Sequence, residues 1–192
     1  MTKISLIVGL GNPGKEYAQT RHNAGFWFVE QLADRYEISL KADPKFHGIS
    51  GRGNIEGHDV RLLLPSTFMN RSGQSVVPFA KFYQIQPEAI LVAHDELDMN
   101  PGVIRLKTGG GHGGHNGLRD IVPHIGSNFH RLRIGIGHPG SKERVSGHVL
   151  GKAPKSEQDL MDAAIHHALS KTALLVEGQV SQAMNQINAY KP

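Results

Sequence analysis

Two short apolar runs constrain the fold of this chain most strongly. ISLIVGL at Ile4–Leu10 and AILVA at Ala89–Ala93 are nearly continuous in aliphatic residues, which is typical of strands buried on both faces of a sheet. A helix is predicted between them over Gly25–Tyr36, where apolar residues recur on one stripe. This alternation predicts an α/β fold: a single domain over residues 1–192, with a mixed, twisted sheet flanked by helices.

The other predicted elements extend this pattern. A hairpin is predicted around Glu56-Gly57-His58, with strands over Phe46–Ile55 and Asp59–Leu64. A helix that ends near Tyr83 contains Pro78, which a helix tolerates only near its start. The remaining predicted elements are strands over Val103–Lys107 and His130–Ile136 and two helices over Ser156–Tyr190.

Composition narrows the chemistry and the compartment. The chain has 192 residues and no cysteine, which excludes disulfides, cysteine-zinc sites and a thiol nucleophile. The N-terminal segment does not resemble a signal peptide and no apolar run has membrane-spanning length, so we expect a soluble, cytoplasmic protein with no membrane partner. Basic residues number 21 and acidic residues 17, and this net charge of +4 slightly favours a polyanionic partner.

Polar clusters follow several of the predicted strands. Gly11-Asn12-Pro13-Gly14 and the residues through His22 come after the first strand, His94 and Asp95 end the strand that begins at Ala89, and Gly109–Asn116 follows another. Sites in α/β sheets form beyond the carboxyl ends of the strands. We therefore predict one crevice in which the three clusters converge.

The stretch GGGHGGHNG at Gly109–Gly117 contains six glycines, which lose much conformational entropy on folding. Such a stretch indicates left-handed backbone or the close approach of another molecule. A flexible connection with no role is the alternative. If the stretch lies against a ligand, valine at Gly113 or Gly114 should lower activity more than thermal stability.

One glycine pattern suggests a nucleotide site. Gly9-Leu10-Gly11-Asn12-Pro13-Gly14 matches the dinucleotide pattern G-x-G-x-x-G and, with Lys15, the spacing of a phosphate loop. However, Pro13 has no N–H for a phosphate, the helix predicted from Gly25 begins too far away, and Glu16 stands where a phosphate loop has Ser or Thr. A nucleotide-dependent enzyme is therefore a minor alternative.

Histidine spacing suggests a metal site. His112 and His115 are three residues apart, and His22 and His94 could lie nearby. Zinc needs three or four ligands, and a glycine-rich loop does not fix two imidazoles on one face. An exposed loop histidine is the simpler interpretation of His112, whereas His115 could orient a neighbouring loop through a hydrogen bond. We predict no metal and no cofactor.

The reactive groups that remain are His22, Asp95 and several carboxamides. The sequence has no G-x-S-x-G motif and no cysteine, so a covalent acyl-enzyme is not expected. A histidine held by an aspartate can act as a general base on water, which suits an activated acyl bond such as an ester. Asn12, Asn70 and Asn116 can hold a peptide-like group or donate to a developing oxyanion.

Five segments stand out as a set. They are VGLGNPGKEYAQTRHNAGF (Val8–Phe26), PSTFMNRSG (Pro65–Gly73), VAHDELD (Val92–Asp98), GGGHGGHNGLRD (Gly109–Asp120) and FHRLRIGIGHPG (Phe129–Gly140). In this order and at this spacing they resemble bacterial-type peptidyl-tRNA hydrolase, and the resemblance covers essentially the whole chain. It implies a metal-independent, monomeric esterase that cleaves the bond between a peptide and the terminal ribose of tRNA, which recycles tRNA from aborted translation.

The resemblance also implies roles at matching motif positions. His22 would be the general base, Asp95 would stabilise its basic form, and Asn12 would help distinguish peptidyl-tRNA from aminoacyl-tRNA, whose amino group is free. The implied substrate contacts are Tyr17, Phe68, Asn70 and Asn116, with Met69 packing beside them. A mobile lid is implied over the glycine-rich run Gly135–Gly151.

Basic residues occur two apart on two predicted strands. Arg105 and Lys107 share one face of their strand, and Arg131 and Arg133 share one face of theirs. With a tRNA substrate, all four are candidate phosphate contacts along the acceptor arm, and substrate affinity should fall with salt. A non-catalytic RNA-binding module that uses the same faces is the alternative from a different functional class.

Overall fold

A computed structural model describes residues 2–192, and its central feature is one seven-stranded sheet. In chain order the strands are β1 (Leu6–Gly9), β2 (Lys41–Asp43), β3 (Gly48–Ile55), β4 (His58–Pro65), β5 (Ile90–Glu96), β6 (Ile104–Thr108) and β7 (His130–Gly135). Their order across the sheet is β2-β3-β4-β1-β5-β7-β6. The predicted mixed sheet is confirmed.

The four central strands β4, β1, β5 and β7 run parallel. The remaining pairs, β2 with β3, β3 with β4 and β6 with β7, are antiparallel. Because parallel strands end at the same edge, the segments that follow β1, β4 and β5 are brought together there. This edge positions the site described below.

Helices cover both faces of the sheet. In chain order they are α1 (Ala24–Arg35), α2 (Gly73–Phe82), α3 (Asn116–Ile125), α4 (Val145–Val149), α5 (Lys155–Leu169), α6 (Thr172–Val176) and α7 (Val180–Asn188). One hydrophobic core joins the sheet to α1, α5, α6 and α7, and the other joins it to α2 and α3. Along β1, Ile7 belongs to the first core while Leu6 and Val8 belong to the second, which explains the continuous apolar run. No helix within residues 2–192 has the length and apolarity needed to cross a membrane.

Several predicted boundaries need correction. The strand predicted to end at Ala93 continues as β5 through Glu96, so Asp95 lies within the sheet. The tail forms three helices rather than two, since α6 ends before Gly178, whose φ of 88° is left-handed. The short edge strand β2 has the sequence KAD, which carries no strand signal, and pairing with β3 imposes its conformation.

Pro78 lies inside α2 rather than near its start. It is the sixth residue of the helix, where it removes one backbone hydrogen bond. Pro78 is exposed, whereas its neighbours Val77 and Phe79 are buried. Burial of these neighbours on the sheet outweighs the unfavourable helix propensity of the proline.

The direction of β6 corrects the predicted position of the glycine stretch. Because β6 is antiparallel to β7, Thr108 pairs with His130, at the edge opposite the carboxyl ends of the parallel strands. The chain over 109–115 must therefore return along the sheet before α3 begins at Asn116. The glycine stretch is a return path to the site and does not directly follow a strand that ends there.

Candidate active site

A cavity of about 490 Å³ lies at the carboxyl edge of the parallel strands. It brings together residues from all three predicted clusters, which confirms the expectation of a single crevice. The predicted site residues that line it are Asn12, His22, Phe68, Met69, Asn70, Asp95 and Asn116. Tyr17 is outside this lining, but its ring packs perpendicular to that of Phe68, with 6.3 Å between the ring centroids.

His22 and Asp95 form a direct hydrogen bond inside this cavity. His22 Nδ1 lies 2.8 Å from Asp95 Oδ2, and both residues are buried. His22 is held by the short helical turn Arg21–Asn23 before α1, and Asp95 by the carboxyl end of β5. Since Nδ1 donates to the carboxylate, the neutral imidazole carries its free lone pair on Nε2.

The pKa of His22 is raised by this pairing. Burial acts to lower the pKa of His22, but attraction to the Asp95 carboxylate and the hydrogen bond to it outweigh burial. The result is a base whose protonated form is stabilised inside the cavity. Such a group can take a proton from water and return it to a leaving group.

Asp95 has a second imidazole partner that the sequence analysis did not assign to the site. His115 Nε2 lies 2.9 Å from Asp95 Oδ1, while its Nδ1 accepts hydrogen bonds from the N–H groups of Gly117 and Leu118. Burial acts to raise the pKa of Asp95, but the two histidines and their hydrogen bonds hold it well below its usual range. The sequence analysis expected His115 to orient a neighbouring loop, whereas its side-chain partner is Asp95 on strand β5.

The histidines considered above for a metal site make hydrogen bonds within the protein. His112 Nδ1 accepts from the N–H of Gly114, and His94 Nδ1 donates to the main-chain carbonyl of Asp95 at 2.8 Å. His22, Asp95 and His115 do offer three ligand atoms within 4.8 Å of one another. However, His22 Nδ1 and His115 Nε2 each donate to an oxygen of the Asp95 carboxylate, at 2.8 and 2.9 Å, which is hydrogen-bond geometry.

Asn12 is fixed so that its amide donor remains free. Its Oδ1 accepts from the N–H of Met69 at 2.8 Å, which leaves the Nδ2 group to the cavity that Asn12 lines. Asn23 binds the main chain of Asn12 through two hydrogen bonds of 2.9 Å. The N–H of Asn12 is therefore occupied, which argues against a nucleotide phosphate at this loop.

The turn Met69–Arg71 places the next two predicted contacts. Besides the bond from Met69 to Asn12, Ser72 Oγ donates to the carbonyl of Met69 at 2.7 Å. Met69 is buried, whereas Asn70 and the 57% exposed Phe68 remain open to solvent along the cavity. A polar and an aromatic side chain are thus presented side by side on a fixed turn.

Left-handed backbone explains much of the glycine stretch. Gly113 and Gly114, which line the cavity, have φ values of 57° and 81°. A Cβ at either position would meet no atom within 4 Å, so crowding by the chain itself is not the reason for glycine there. Valine at Gly113 or Gly114 would strain this left-handed backbone, so we expect a loss of stability beside the predicted larger loss of activity.

The four predicted phosphate contacts occupy different environments. Arg131 is only 2% exposed and donates to the carbonyls of Gly110 and Gly111, so the prediction that it meets a phosphate is corrected to a structural role. Arg133 pairs with Glu96, and Arg105 donates to the carbonyl of Asn188. Lys107 is the exposed member of the set.

The glycine-rich run over 135–151 contains a wall of the cavity. Lys142 and four residues from Val145 to Leu150 line it, which places α4 over the site. Arg21 Nη1 donates to the carbonyl of His148 at 2.9 Å, and His148 Nε2 lies 3.1 Å from the carbonyl of Ile136. The segment expected to act as a lid is therefore anchored to the turn that carries His22.

Comparison with known proteins assigns the family. The sequence matches the peptidyl-tRNA hydrolase family over residues 6–192. The chain belongs to the peptidyl-tRNA hydrolase family. It is 89% identical over 192 residues to peptidyl-tRNA hydrolase from Acinetobacter baumannii strain AYE, with all of both chains covered. It is 64% identical over 188 residues to that of Psychrobacter cryohalolentis, covering 98% of this chain and 97% of the relative.

A solved structure of a family member has the same fold. The crystal structure of peptidyl-tRNA hydrolase from Acinetobacter baumannii matches with a TM-score of 0.99 at 88% identity, covering 100% of this chain and 98% of that one. The resemblance inferred from five segments is thus confirmed at the level of the peptidyl-tRNA hydrolase family. The roles of individual side chains remain predictions that rest on the geometry above.

Proposed function

We propose that this chain hydrolyses the ester between a peptide and the terminal ribose of tRNA. The observation that carries the proposal is the His22–Asp95 pair in an open cavity of a chain 89% identical to a protein named peptidyl-tRNA hydrolase. The rival interpretation as a non-catalytic RNA-binding module gives no reason for a buried imidazole whose lone pair is left free.

In the proposed reaction, His22 Nε2 takes a proton from water as the water oxygen attacks the ester carbonyl carbon. Asp95 stabilises the imidazolium that forms. When the tetrahedral intermediate collapses, the carbon–oxygen bond to the ribose breaks and His22 returns the proton to the ribose oxygen. The products are a peptide with a free carboxyl group and a tRNA with a free terminal hydroxyl, and the protein supplies no metal in this scheme.

The orientation of the Asn12 side-chain amide would let the site distinguish peptidyl-tRNA from aminoacyl-tRNA. With its oxygen bound to the Met69 N–H, the group it offers to the cavity is a hydrogen-bond donor. A peptide carbonyl next to the blocked nitrogen can accept that hydrogen bond. The free ammonium group of aminoacyl-tRNA has only hydrogen-bond donors, so it cannot accept a hydrogen bond from the Asn12 amide.

The two exposed asparagines and the apolar walls complete the proposed substrate site. Asn70 and Asn116 can hydrogen-bond the ester or peptide groups, and Asn116 stands at the N-terminus of α3, where a developing oxyanion is stabilised. Phe68, Val145 and Leu150 offer apolar surface to peptide side chains. Tyr17 supports the Phe68 ring at the rim.

The tRNA would approach along the side of the sheet that carries β6. Exposed Lys107 is the strongest candidate for a phosphate contact. Arg105 and Arg133 lie nearby, but each guanidinium group already has one partner in the protein, the carbonyl of Asn188 and the carboxylate of Glu96 respectively. We propose a monomer as the active unit, as the family resemblance implies. Because its substrate arises in translation, we propose that it acts in the cytoplasm.

The test compares N-acetylaminoacyl-tRNA with unblocked aminoacyl-tRNA, with EDTA present throughout. Wild type should cleave the blocked substrate alone, and His22→Ala should retain tRNA binding while losing turnover by about 10²-fold or more. Folded wild type that binds tRNA without cleaving it would support the RNA-binding module instead. Loss of turnover in EDTA that returns with added metal would overturn the metal-free scheme.

A further inference from the structure

We propose that His115 is a positioning residue that holds Asp95 for His22 and moderates the basicity of His22. The inference rests on the proposed function, because it concerns the same reaction. His115 does not line up with His22 as a second base, since its Nε2 faces the carboxylate and its Nδ1 faces the backbone. Its effect on the reaction would pass through Asp95.

The protonation of His115 follows from its two hydrogen bonds. Nδ1 accepts from the N–H of Gly117 at 3.1 Å, so this nitrogen carries no proton. The proton of the neutral imidazole therefore lies on Nε2 and is donated to Asp95 Oδ1 at 2.9 Å. The backbone at the start of α3 thus selects the tautomer that can hold Asp95.

Both oxygens of the Asp95 carboxylate are used. Oδ1 accepts from His115 and Oδ2 accepts from His22, and the carboxyl group is buried from solvent. A buried carboxylate with only one donor would keep an unsatisfied oxygen and could rotate. The donor from His115 fixes the carboxylate plane, so that Oδ2 remains directed at His22.

The second donor also divides the negative charge. A carboxylate that accepts hydrogen bonds from two N–H groups attracts the proton of His22 less strongly than one that accepts from His22 alone. His115 would therefore keep His22 from becoming too strong a base, one that stays protonated near neutral pH. The raised pKa of His22 described above would rise further without it.

Two of the other charged groups near Asp95 have partners of their own, and a neighbouring histidine is neutral. The His94 ring lies 5.0 Å from that of His115, and burial lowers the pKa of His94 to about 3, so His94 is neutral at working pH. Arg21 binds the carbonyl of His148, and Glu96 binds Arg133. Lys142 lines the same cavity from the segment before α4.

His115 also joins two parts of the site. It is the N-cap of α3, and Asn116 is the first residue of that helix. Through Asp95 Oδ1 it ties the start of α3 to the end of β5. The same side chain therefore fixes the distance between Asn116 and the His22–Asp95 pair.

Two substitutions separate the capping role from the positioning role. The Oδ1 of an asparagine lies as many bonds from the backbone as imidazole Nδ1, so His115→Asn keeps a favourable N-cap without reaching Asp95. The amide nitrogen of a glutamine matches imidazole Nε2, so His115→Gln keeps the donor to Asp95 without the cap. A purely structural His115 predicts that the glutamine variant is the more damaged in every assay.

The measurements are thermal stability, the pH profile of kcat/KM on N-acetylaminoacyl-tRNA, and the NMR titration of His22. For His115→Asn we expect a lower Tm, because one buried oxygen of Asp95 loses its donor, and a kcat/KM lowered about 10- to 100-fold, as for loss of one hydrogen bond to a charged group. The His22 titration and the acid limb should move upward by about 0.5 to 1 pH unit, part of the shift that one neighbouring charge can produce. His115→Gln should lose Tm while its acid limb stays near that of wild type.

The proposal is overturned if His115→Asn folds with wild-type kcat/KM and an unchanged His22 titration. It is also overturned if the acid limb moves equally in both variants. The NMR titration, assigned through the resonance lost in His22→Ala, does not depend on turnover. A wild type without hydrolase activity would therefore refute the proposed function, while the titration would still decide how His115 acts on His22.

Discussion

Asn23 holds the main chain of Asn12 on both sides of the residue. Its side-chain oxygen accepts from the Asn12 N–H and its amide nitrogen donates to the Asn12 carbonyl, each at 2.9 Å. Both residues are buried. The Asn23 side chain therefore fixes the loop after β1 by making the two main-chain hydrogen bonds that a neighbouring strand would otherwise make. The direction of the Asn12 amide depends on this contact as well as on Met69.

Asn23→Ala should therefore lower both stability and activity. Loss of two buried hydrogen bonds predicts a decrease of about 2 kcal/mol in the free energy of unfolding, measured by urea denaturation. The kcat/KM on blocked aminoacyl-tRNA should also fall, because Asn12 loses its fixed position. Asn54→Ala is the matched control, since it removes one exposed hydrogen bond to Gly57 and should change either quantity little. Equal effects in both variants would contradict this account.

The acid side of the pH profile should lie above the ordinary histidine range. The pKa of His22 is raised above 6.5 because Asp95 outweighs burial, and the base must be unprotonated to accept a proton from water. Activity should therefore fall as pH decreases through that raised value. The same shift makes protonated His22 stabilise the fold below pH 6.5, a contribution lost as pH rises through the folded pKa. If the acid-side decrease in kcat/KM is centred at or below pH 6.5, the assignment of His22 as the general base is contradicted.

Asp95→Asn should abolish most activity with the fold retained. An amide can accept from one imidazole but must turn its NH₂ toward the other, so at least one histidine would lose its present tautomer. By analogy with a catalytic triad, kcat should fall about 10³- to 10⁴-fold. Circular dichroism and tRNA affinity serve as controls for folding and binding. An active Asp95→Asn enzyme would exclude Asp95 from the reaction.

Asn12→Asp should narrow the discrimination between blocked and free amino groups. The new carboxylate keeps an acceptor for Met69 but replaces the donor in the cavity with a negative charge. We expect lower turnover of N-acetylaminoacyl-tRNA and a higher relative turnover of aminoacyl-tRNA, whose ammonium group it attracts. The quantity to measure is the ratio of the two kcat/KM values. An unchanged ratio would assign the discrimination to another residue.

Gly113→Ala tests the left-handed backbone beside the cavity. Its φ of 57° predicts a loss of about 1 to 2 kcal/mol in stability together with reduced activity. Gly111→Ala is the control in the same stretch, because Gly111 is not left-handed and a Cβ there meets no atom within 4 Å. If both variants unfold at the same temperature, backbone strain does not explain the glycine.

Lys107→Ala should reduce the salt dependence of tRNA affinity by about one counterion. Lys41→Ala is a matched control, since Lys41 is also an exposed lysine but lies on β2, at the other edge of the sheet. Arg131→Ala should instead lower stability, because its guanidinium holds the carbonyls of Gly110 and Gly111. Equal salt slopes for Lys107→Ala and Lys41→Ala would remove Lys107 from the interface.

The sequence predicted the fold class and the convergence of the polar clusters because both follow from local patterns. Continuous apolar runs indicate buried parallel strands, and polar residues after such strands meet at one edge. The contact between His115 and Asp95 could not be predicted this way, since it depends on the direction of β6 and the path of the stretch that follows it. A histidine just before a helix that begins with Asn116 was the available signal, as N-cap residues often carry a side-chain acceptor.

The basic residues illustrate the same limit. Alternation along a strand correctly placed Arg131 and Arg133 on one face, and their partners Lys107 and Arg105 lie directly opposite them on β6. Which part of that face is covered depends on the glycine stretch, which closes over Arg131 and leaves Lys107 outside. Local periodicity predicts which face of a strand a residue occupies. Whether that residue is buried depends on which other segments of the chain pack over the face.

The antiparallel direction of β6 also sets how much chain is needed to return to the site. Thr108 is level with Leu91, and Asp95 lies four residues farther along β5, about 13 Å at about 3.3 Å per residue. The seven residues over 109–115 could span about 23 to 25 Å if fully extended. The stretch is therefore longer than the distance it must cover along the sheet. Its left-handed glycines let the chain coil within that distance, so that His115 can reach Asp95 without a strained, fully extended backbone.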